Sequence, residues 1–374
     1  PYVLNLGPQR IIDGTDFLSD IALAFIAFST GEFFKLPVLK KSGMKVVWIT
    51  VFEAVLASVF IFILTYFILR LDLAFSIVLA ALASATAPAS TMMTIRQTGA
   101  KGDFVDTLLQ VVALDDVVGL VLYSIAISIA LASLSGVSGF SFETLGNPVL
   151  LNLLVLLLGS IFGLFMKLLM PQKRSKDNKL IISVALLFAF CGVCALLDLS
   201  PLLGCMAMGM VYINTTGDER LFKQLNYFSP PILLLFFVRS GLNFDLGALV
   251  NTSDAIGGVP LVWVGVAYFF VRILGKYGGA FSGCLLTGKD KRVRNYLGLA
   301  LIPQAGVAIG LAAMGARTLG GSAGTALETI ILSSSVLYEL IGPACAKLSL
   351  YLSHSYSNKL EDLTPEPEPD ETGC

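Results

Sequence analysis

Two adjacent carboxylates, Asp115 and Asp116, stand in the run VVALDDVVGLVLYS with apolar residues on both sides. A charged side chain within a membrane segment costs roughly 2.5–3.5 kcal/mol on the insertion scale, which marks it as functional by default. Successive helical residues point about 100° apart, so the two aspartates cannot face the same neighbour. One can pair with a cation in the bundle while the other faces a cavity. Burial and mutual repulsion both favour the protonated form of a carboxylate. The pair can therefore hold a proton near neutral pH and release it when a metal cation arrives, with coupled titration. Oxygen ligands of this kind suit hard alkali cations. The natural partner is Lys276, in FFVRILGKYGGAFSG. A lysine at that depth must be paired, neutral or snorkelling, and pairing with an aspartate is the least costly for both. Arg272, one helical turn earlier, either supports the same network or packs and pairs structurally. Arg239, in LLFFVRSGLNFD, reads as a snorkelling or structural arginine.

The composition says what must position these groups. Of 374 residues, 56% are hydrophobic and 14% charged, and the mean hydropathy is +0.82. Soluble domains carry roughly 25% charged residues. The chain is mostly membrane-spanning, which excludes a secreted domain, a disordered protein and a nucleic-acid binder built on a basic surface. The single histidine, His354, lies outside the apolar runs, so histidine catalysis and His-rich metal sites within the membrane are excluded. The cysteines at 191, 194, 205, 284, 345 and 374 are scattered, and Cys191-x-x-Cys194 reads as apolar packing.

Eleven apolar segments follow, at approximately 16–37, 46–69, 73–96, 104–133, 148–170, 179–197, 201–214, 227–244, 258–286, 295–317 and 324–351. Alternate loops fall into two sets. One holds 19 of the 25 Lys and Arg residues and the other only Arg10, Arg70 and Arg317. The positive-inside rule makes the first set cytoplasmic, with the chain entering from outside and its C-terminal end in the cytoplasm. Residues 1–351 form the transmembrane part. Residues 352–374, with PEPEPDE, read as a solvated acidic cytoplasmic tail.

Two segments are interrupted. One reads LASATAPASTMM, with Ser84, Thr86, Ala87 and Pro88 at its middle, and the other ALIPQAGVAIGL, with Pro303, Gln304 and Gly306. Proline removes a backbone donor, and freed backbone groups at membrane depth survive only where protein or a wet cavity satisfies them. Broken helices in corresponding positions of two halves point to a transporter site. The step from Thr86 to Asp116, taken from Pro303, reaches Ser333 in ILSSSVLYE. Ser333, Ser334 and Ser335 would then stand where the aspartates do, against the plainer reading of helix-packing serines.

In order and spacing, SATAPAS, ALDDVVGL, ILGKYGGAF and LIPQAGVAIG resemble the sodium/proton antiporters of the cation:proton antiporter-2 superfamily, of the NhaA and NapA types. The resemblance covers essentially the whole chain, with LNLGP and FSTGEF near its start. It implies an all-α membrane protein with an inverted-repeat transporter fold, two crossing discontinuous helices and thirteen helices in all, of which the first two would be missing here. It implies that Asp116 is the main cation- and proton-binding carboxylate, that Asp115 pairs with Lys276, and that Thr86 lies at the crossing. Ala87 stands where the NhaA pattern has a further aspartate, which leaves ion preference open. The Asp-Asp pair resembles the electrogenic type. The resemblance further implies no cofactor, Na⁺, Li⁺ or K⁺ and protons as the transported species, a homodimer, no nucleic-acid partner, and a bacterial inner membrane. The alternatives are a potassium-efflux or channel-like member, a sodium-coupled organic-anion symporter of similar fold, and, from another class, an intramembrane aspartyl protease. The protease needs two aspartates converging on one water, and adjacent residues on one helix diverge.

Overall fold

A computed structural model describes residues 16–36, 43–134, 142–171, 174–197, 199, 201–242, 255–256 and 258–356. The N-terminal fifteen residues and the acidic tail from 357 onward lie outside them. Among the described residues the regular structure is helical apart from a two-residue antiparallel pairing, β1 (Ala255–Ile256) with β2 (Val259–Pro260). The helices are α1 (Asp16–Thr30), α2 (Met44–Phe62), α3 (Leu73–Leu82), α4 (Pro88–Thr98), α5 (Asp103–Leu134), α6 (Phe142–Leu169) and α7 (Lys176–Leu196). They continue as α8 (Leu202–Thr216), α9 (Glu219–Phe228), α10 (Pro230–Leu242), α11 (Leu261–Leu286), α12 (Lys291–Ala300), α13 (Gly306–Leu319) and α14 (Gly321–Leu352).

Six of these are long and apolar enough to cross a bilayer: Met44–Ile68, Asp103–Leu134, Leu150–Leu169, Lys176–Leu196, Leu261–Leu286 and Gly321–Leu352. Four helices are apolar but shorter, Asp20–Thr30, Leu73–Leu82, Leu202–Thr216 and Gly306–Leu319. Leucine, phenylalanine and isoleucine side chains such as Leu153, Leu157, Phe165 and Phe270 stand exposed on the outside, as a lipid-facing surface requires. The segment expected at 227–244 differs from the sequence reading. Pro230 and Pro231 open a new helix there, and the preceding ten residues form the separate, amphipathic α9. Proline fits the first turn of a helix, where its missing N–H has no partner to lose.

The segments at 73–96 and 295–317 are each two helices. Asp72 caps α3, its Oδ2 accepting from the backbone N–H of Ala74 at 2.9 Å. The helix stops at Leu82, and residues 83–87 run irregularly to Pro88, the first residue of α4. Asp290 caps α12 in the same way. That helix stops at Ala300, and α13 starts at Gly306, whose φ of 27° suits a residue without Cβ. Both breaks contain a proline where the helical bond pattern would otherwise continue.

The packing places these elements. α2 runs along α11; α2 also packs on α3 and α5, and α11 on α12 and α14, while α1 and α6 pack on α8. On α11, Gly275, Gly279 and Gly283 form one stripe at four-residue spacing, a small-residue pattern that lets backbones approach in membranes. A Cβ at Gly279 would lie 2.4 Å from the Cα of Glu53, and one at Gly275 2.6 Å from the Cα of Ala57.

Candidate functional site: a buried lysine between carboxylates at two helix breaks

The two breaks touch. The backbone N–H of Ala87 donates to Pro303 O at 2.9 Å, and Gln304 Nε2 donates to Leu82 O at 2.7 Å. Tyr268 Oη donates to the other end of that amide, Gln304 Oε1, at 3.1 Å. Thr91 Oγ1 donates to Ala300 O at 3.1 Å, which ties α4 to the end of α12. The proline and glutamine of the second break therefore satisfy backbone groups of the first. No bilayer water is available to do so.

Arg272 completes this clamp. Its Nε donates to Ala83 O at 2.9 Å, its Nη2 to Ala85 O at 2.6 Å and its Nη1 to Ile302 O at 2.8 Å. The guanidinium also lies over the Tyr338 ring, 4.6 Å from its centroid. The side chain is fully buried. Of the two readings left open by the sequence, the geometry gives the structural one: Arg272 holds carbonyls of both breaks and makes no ion pair with the aspartates among the described residues.

Lys276, one turn further along α11, reaches the other side of the first break. Its Nζ donates to Ser84 O, to Thr86 Oγ1 at 2.8 Å, and to Asp115 Oδ2 and Oδ1 at 3.1 and 3.3 Å. A third group joins them that the sequence reading passed over. Glu53, on α2, places Oε2 2.7 Å from Nζ. Lys276, Glu53 and Asp115 all have 0% exposure, so one ammonium sits between two buried carboxylates with no solvent to screen it. The close approach at Gly279 puts Glu53 within reach. Two signals for this were present: Glu53 is the only charged residue in VVWITVFEAVLASVF, and the glycines on α11 recur every fourth residue.

Asp116 is buried as well, at 6% exposure, and points elsewhere than Asp115, as the helical angle requires. Its Oδ1 meets no hydrogen-bond donor among the described residues. A buried carboxylate oxygen without a donor needs a proton or a cation. Gly119, one turn on, brings α5 against the first break, where an added Cβ would lie 3.3 Å from Ser84 Oγ. The described geometry thus joins Asp115, Lys276, Thr86, Ser84, Ala87, Pro303 and Gln304 in one region. Pro88 begins α4 and Gly306 begins α13. On α14, Ser333 Oγ donates back to Thr329 O at 2.7 Å, within its own helix, and Ser334 and Ser335 are buried. The Arg239 side chain lies outside the described residues.

A cavity of about 460 Å³ opens two turns along α5 from Asp116. Its walls include Tyr123, Ser124, Asn152 and Cys191, and Asp20 on α1 pairs with Arg317 on α13 at its edge. Tyr123 Oη, Ser124 Oγ and Asn152 Nδ2 are buried with no partner among the described residues, so the cavity wall is polar enough to hold water.

The sequence from residue 1 to 344 matches the family model described as sodium/hydrogen exchanger, transmembrane. The chain belongs to the sodium/hydrogen exchanger family. It is an integral membrane protein of that family. Among curated proteins it is similar to the high-affinity Na⁺/H⁺ antiporter NhaS3 of Synechocystis sp., 23% identical over 188 residues. That match takes in 50% of this chain and spans 39% of the length of the relative. Among solved structures it is similar to the sodium proton antiporter MjNhaP1 of Methanocaldococcus jannaschii, with a TM-score of 0.64 and 18% identity. The match covers 94% of this chain and 89% of that one, and it shows that this chain has the same all-helical fold.

Proposed function

We propose that the protein is a secondary antiporter that exchanges a monovalent cation, Na⁺ or Li⁺ with K⁺ as the third candidate, for protons. One observation carries this reading. Asp116 presents a buried oxygen with no donor among the described residues, beside an Asp115–Lys276 ion pair, where two interrupted helices meet. A carboxylate so placed accepts either a proton or a hard cation, and the two compete. Thr86 Oγ1 and the carbonyls of the first break are further oxygen ligands, once Lys276 has moved off them. α4 and α13 begin at the breaks, and their partly positive N-terminal ends favour the charged carboxylates.

The helices carrying the site, α2 to α5 and α11 to α14, move as one body against α1 and α6 to α10, which gives alternating access. By the loop charges, the cavity at Tyr123 and Ser124 opens outward, so this conformation faces outside. The pair of aspartates lets more protons than cations cross, so exchange is electrogenic. The protein works as a homodimer in the plasma membrane, with its C-terminal end cytoplasmic and no cofactor.

The test is a reconstitution. In proteoliposomes carrying an internal pH dye, adding Na⁺, Li⁺ or K⁺ moves protons in the wild type and not in Asp116→Asn. Proton movement that survives Asp116→Asn removes that residue from the site. No response to any of the three ions refutes antiport.

A further inference from the structure

Lys276 has more counter-ions than it needs in any one state. An ammonium has three N–H groups. Here it faces Ser84 O, Thr86 Oγ1, Asp115 and Glu53 at once. The two carboxylates reach it from different helices, Asp115 from α5 and Glu53 from α2. Glu53 is fully buried, and its carboxyl faces two charged groups, the Lys276 ammonium 2.7 Å from Oε2 and the Asp115 carboxyl beside it. The placement is built into the helices. Gly279 leaves no room for a Cβ between α11 and the Cα of Glu53, one turn from Lys276.

We propose that Glu53 is a positioning residue that takes over Lys276 when the transported cation claims Asp115. This rests on the antiport reading above. A cation entering beside Asp116 competes with the ammonium for the oxygens of Asp115. Without a second carboxylate, the displaced ammonium would be left charged and unpaired in a dry site, or would have to lose its proton. With Glu53 already 2.7 Å away, it keeps a counter-ion without leaving the site. No bond is made or broken in that step. One positive charge, the cation, replaces another, the ammonium, at Asp115. Lys276 therefore stays protonated throughout, and the protons exchanged come from carboxylates.

Glu53→Gln preserves shape and removes the charge. In proteoliposomes its KM for the cation rises roughly tenfold to a hundredfold, while kcat at saturating cation stays within about threefold of wild type. Glu53→Asp recovers most of the affinity. Removing the ammonium as well, in Glu53→Gln with Lys276→Met, restores cation affinity, because nothing has to be displaced. A residue that merely packs would not be rescued by losing its partner. A KM unchanged in Glu53→Gln overturns the proposal, and so does a double variant as weak as the single. If Glu53→Gln fails to insert, the wild type answers instead. With ¹⁵N-labelled lysine, the Nζ signal removed by Lys276→Met stays in the ammonium range when Na⁺ saturates the site, and movement to the neutral-amine range overturns the proposal. A wild type that exchanges no cation for protons sinks the antiport reading and this one with it. A wild type that exchanges normally, with Glu53→Gln indistinguishable from it, sinks this one alone.

Discussion

Replacing Arg272 by glutamine tests how the two helix breaks are held. The guanidinium makes three bonds, to Ala83 O, Ala85 O and Ile302 O, at 2.9, 2.6 and 2.8 Å. A hydrogen bond to a charged group contributes roughly 1.5–3 kcal/mol net, so the three are worth roughly 4.5–9 kcal/mol. The face of Tyr338 adds about 0.5–2 kcal/mol. Glutamine has two amide hydrogens and no charge, so it can satisfy at most two of the carbonyls. It leaves at least one buried and orphaned, at about 1–3 kcal/mol. The expected loss is about 3 kcal/mol or more, discounted from the full sum because water and small backbone shifts recover part of it. Equilibrium unfolding of the detergent-purified protein in rising SDS measures it directly. Arg272→Lys recovers less than half, because a single ammonium cannot span carbonyls from two breaks. Tyr338→Phe is the comparison: it keeps the ring under the guanidinium and loses the hydroxyl, with its bond to Phe269 O, at about 1 kcal/mol. An Arg272→Gln protein within about 1 kcal/mol of wild type would refute the clamp, since that is less than one buried charged bond.

Other outcomes follow from the same geometry. Gly279→Ala forces α2 away from α11 and costs about 1–3 kcal/mol with loss of exchange. Gly265→Ala, on the same helix with open space at its Cβ, is neutral or slightly stabilising; equal effects in the two would refute the close-approach argument. The Asp20–Arg317 pair is about one-third exposed on both sides, so Asp20→Asn changes the exchange rate by less than about fivefold. Abolished exchange would mean that the pair does more than bridge the cavity edge. Away from the membrane, Asp218 at the start of α9 is partly desolvated, which raises its carboxyl, but its bond to Lys179 at 2.6 Å and that charge outweigh the burial and hold it below the usual range. A depressed folded value gives stability that is present above the unfolded pKa of about 3.9 and lost as pH falls through the folded one. Asp218→Asn is therefore less stable than wild type at pH 7, and the difference closes below about pH 4. A gap that persists there would assign the loss to packing.

Much of the site could be read from the sequence because charge inside an apolar run is a local signal. Asp115, Asp116 and Lys276 declared themselves that way, and proline declared the breaks at 88 and 303. Helix type and extent along α5, α11 and α14 followed from unbroken apolar length. What could not be read was which distant elements meet. Nothing local says that the amide of Gln304 reaches Leu82 O, or that Arg272 spans both breaks; those contacts join residues more than 180 positions apart in most cases. Glu53 obeyed the same local rule as the aspartates and was passed over. Its position makes sense only with the glycine stripe of α11, whose meaning is tertiary. The start of α10 at Pro230 was missed because the apolar segment was begun at 227, before the proline pair was given its helix-starting role.

The central claim is that proton and cation compete for Asp116. Calorimetric cation binding to the purified protein, repeated across pH, tests it most directly. The account predicts an apparent affinity that weakens up to about tenfold for each pH unit of acidification once the site protonates, with binding abolished in Asp116→Asn. Affinity independent of pH, or binding that persists in Asp116→Asn, would contradict it.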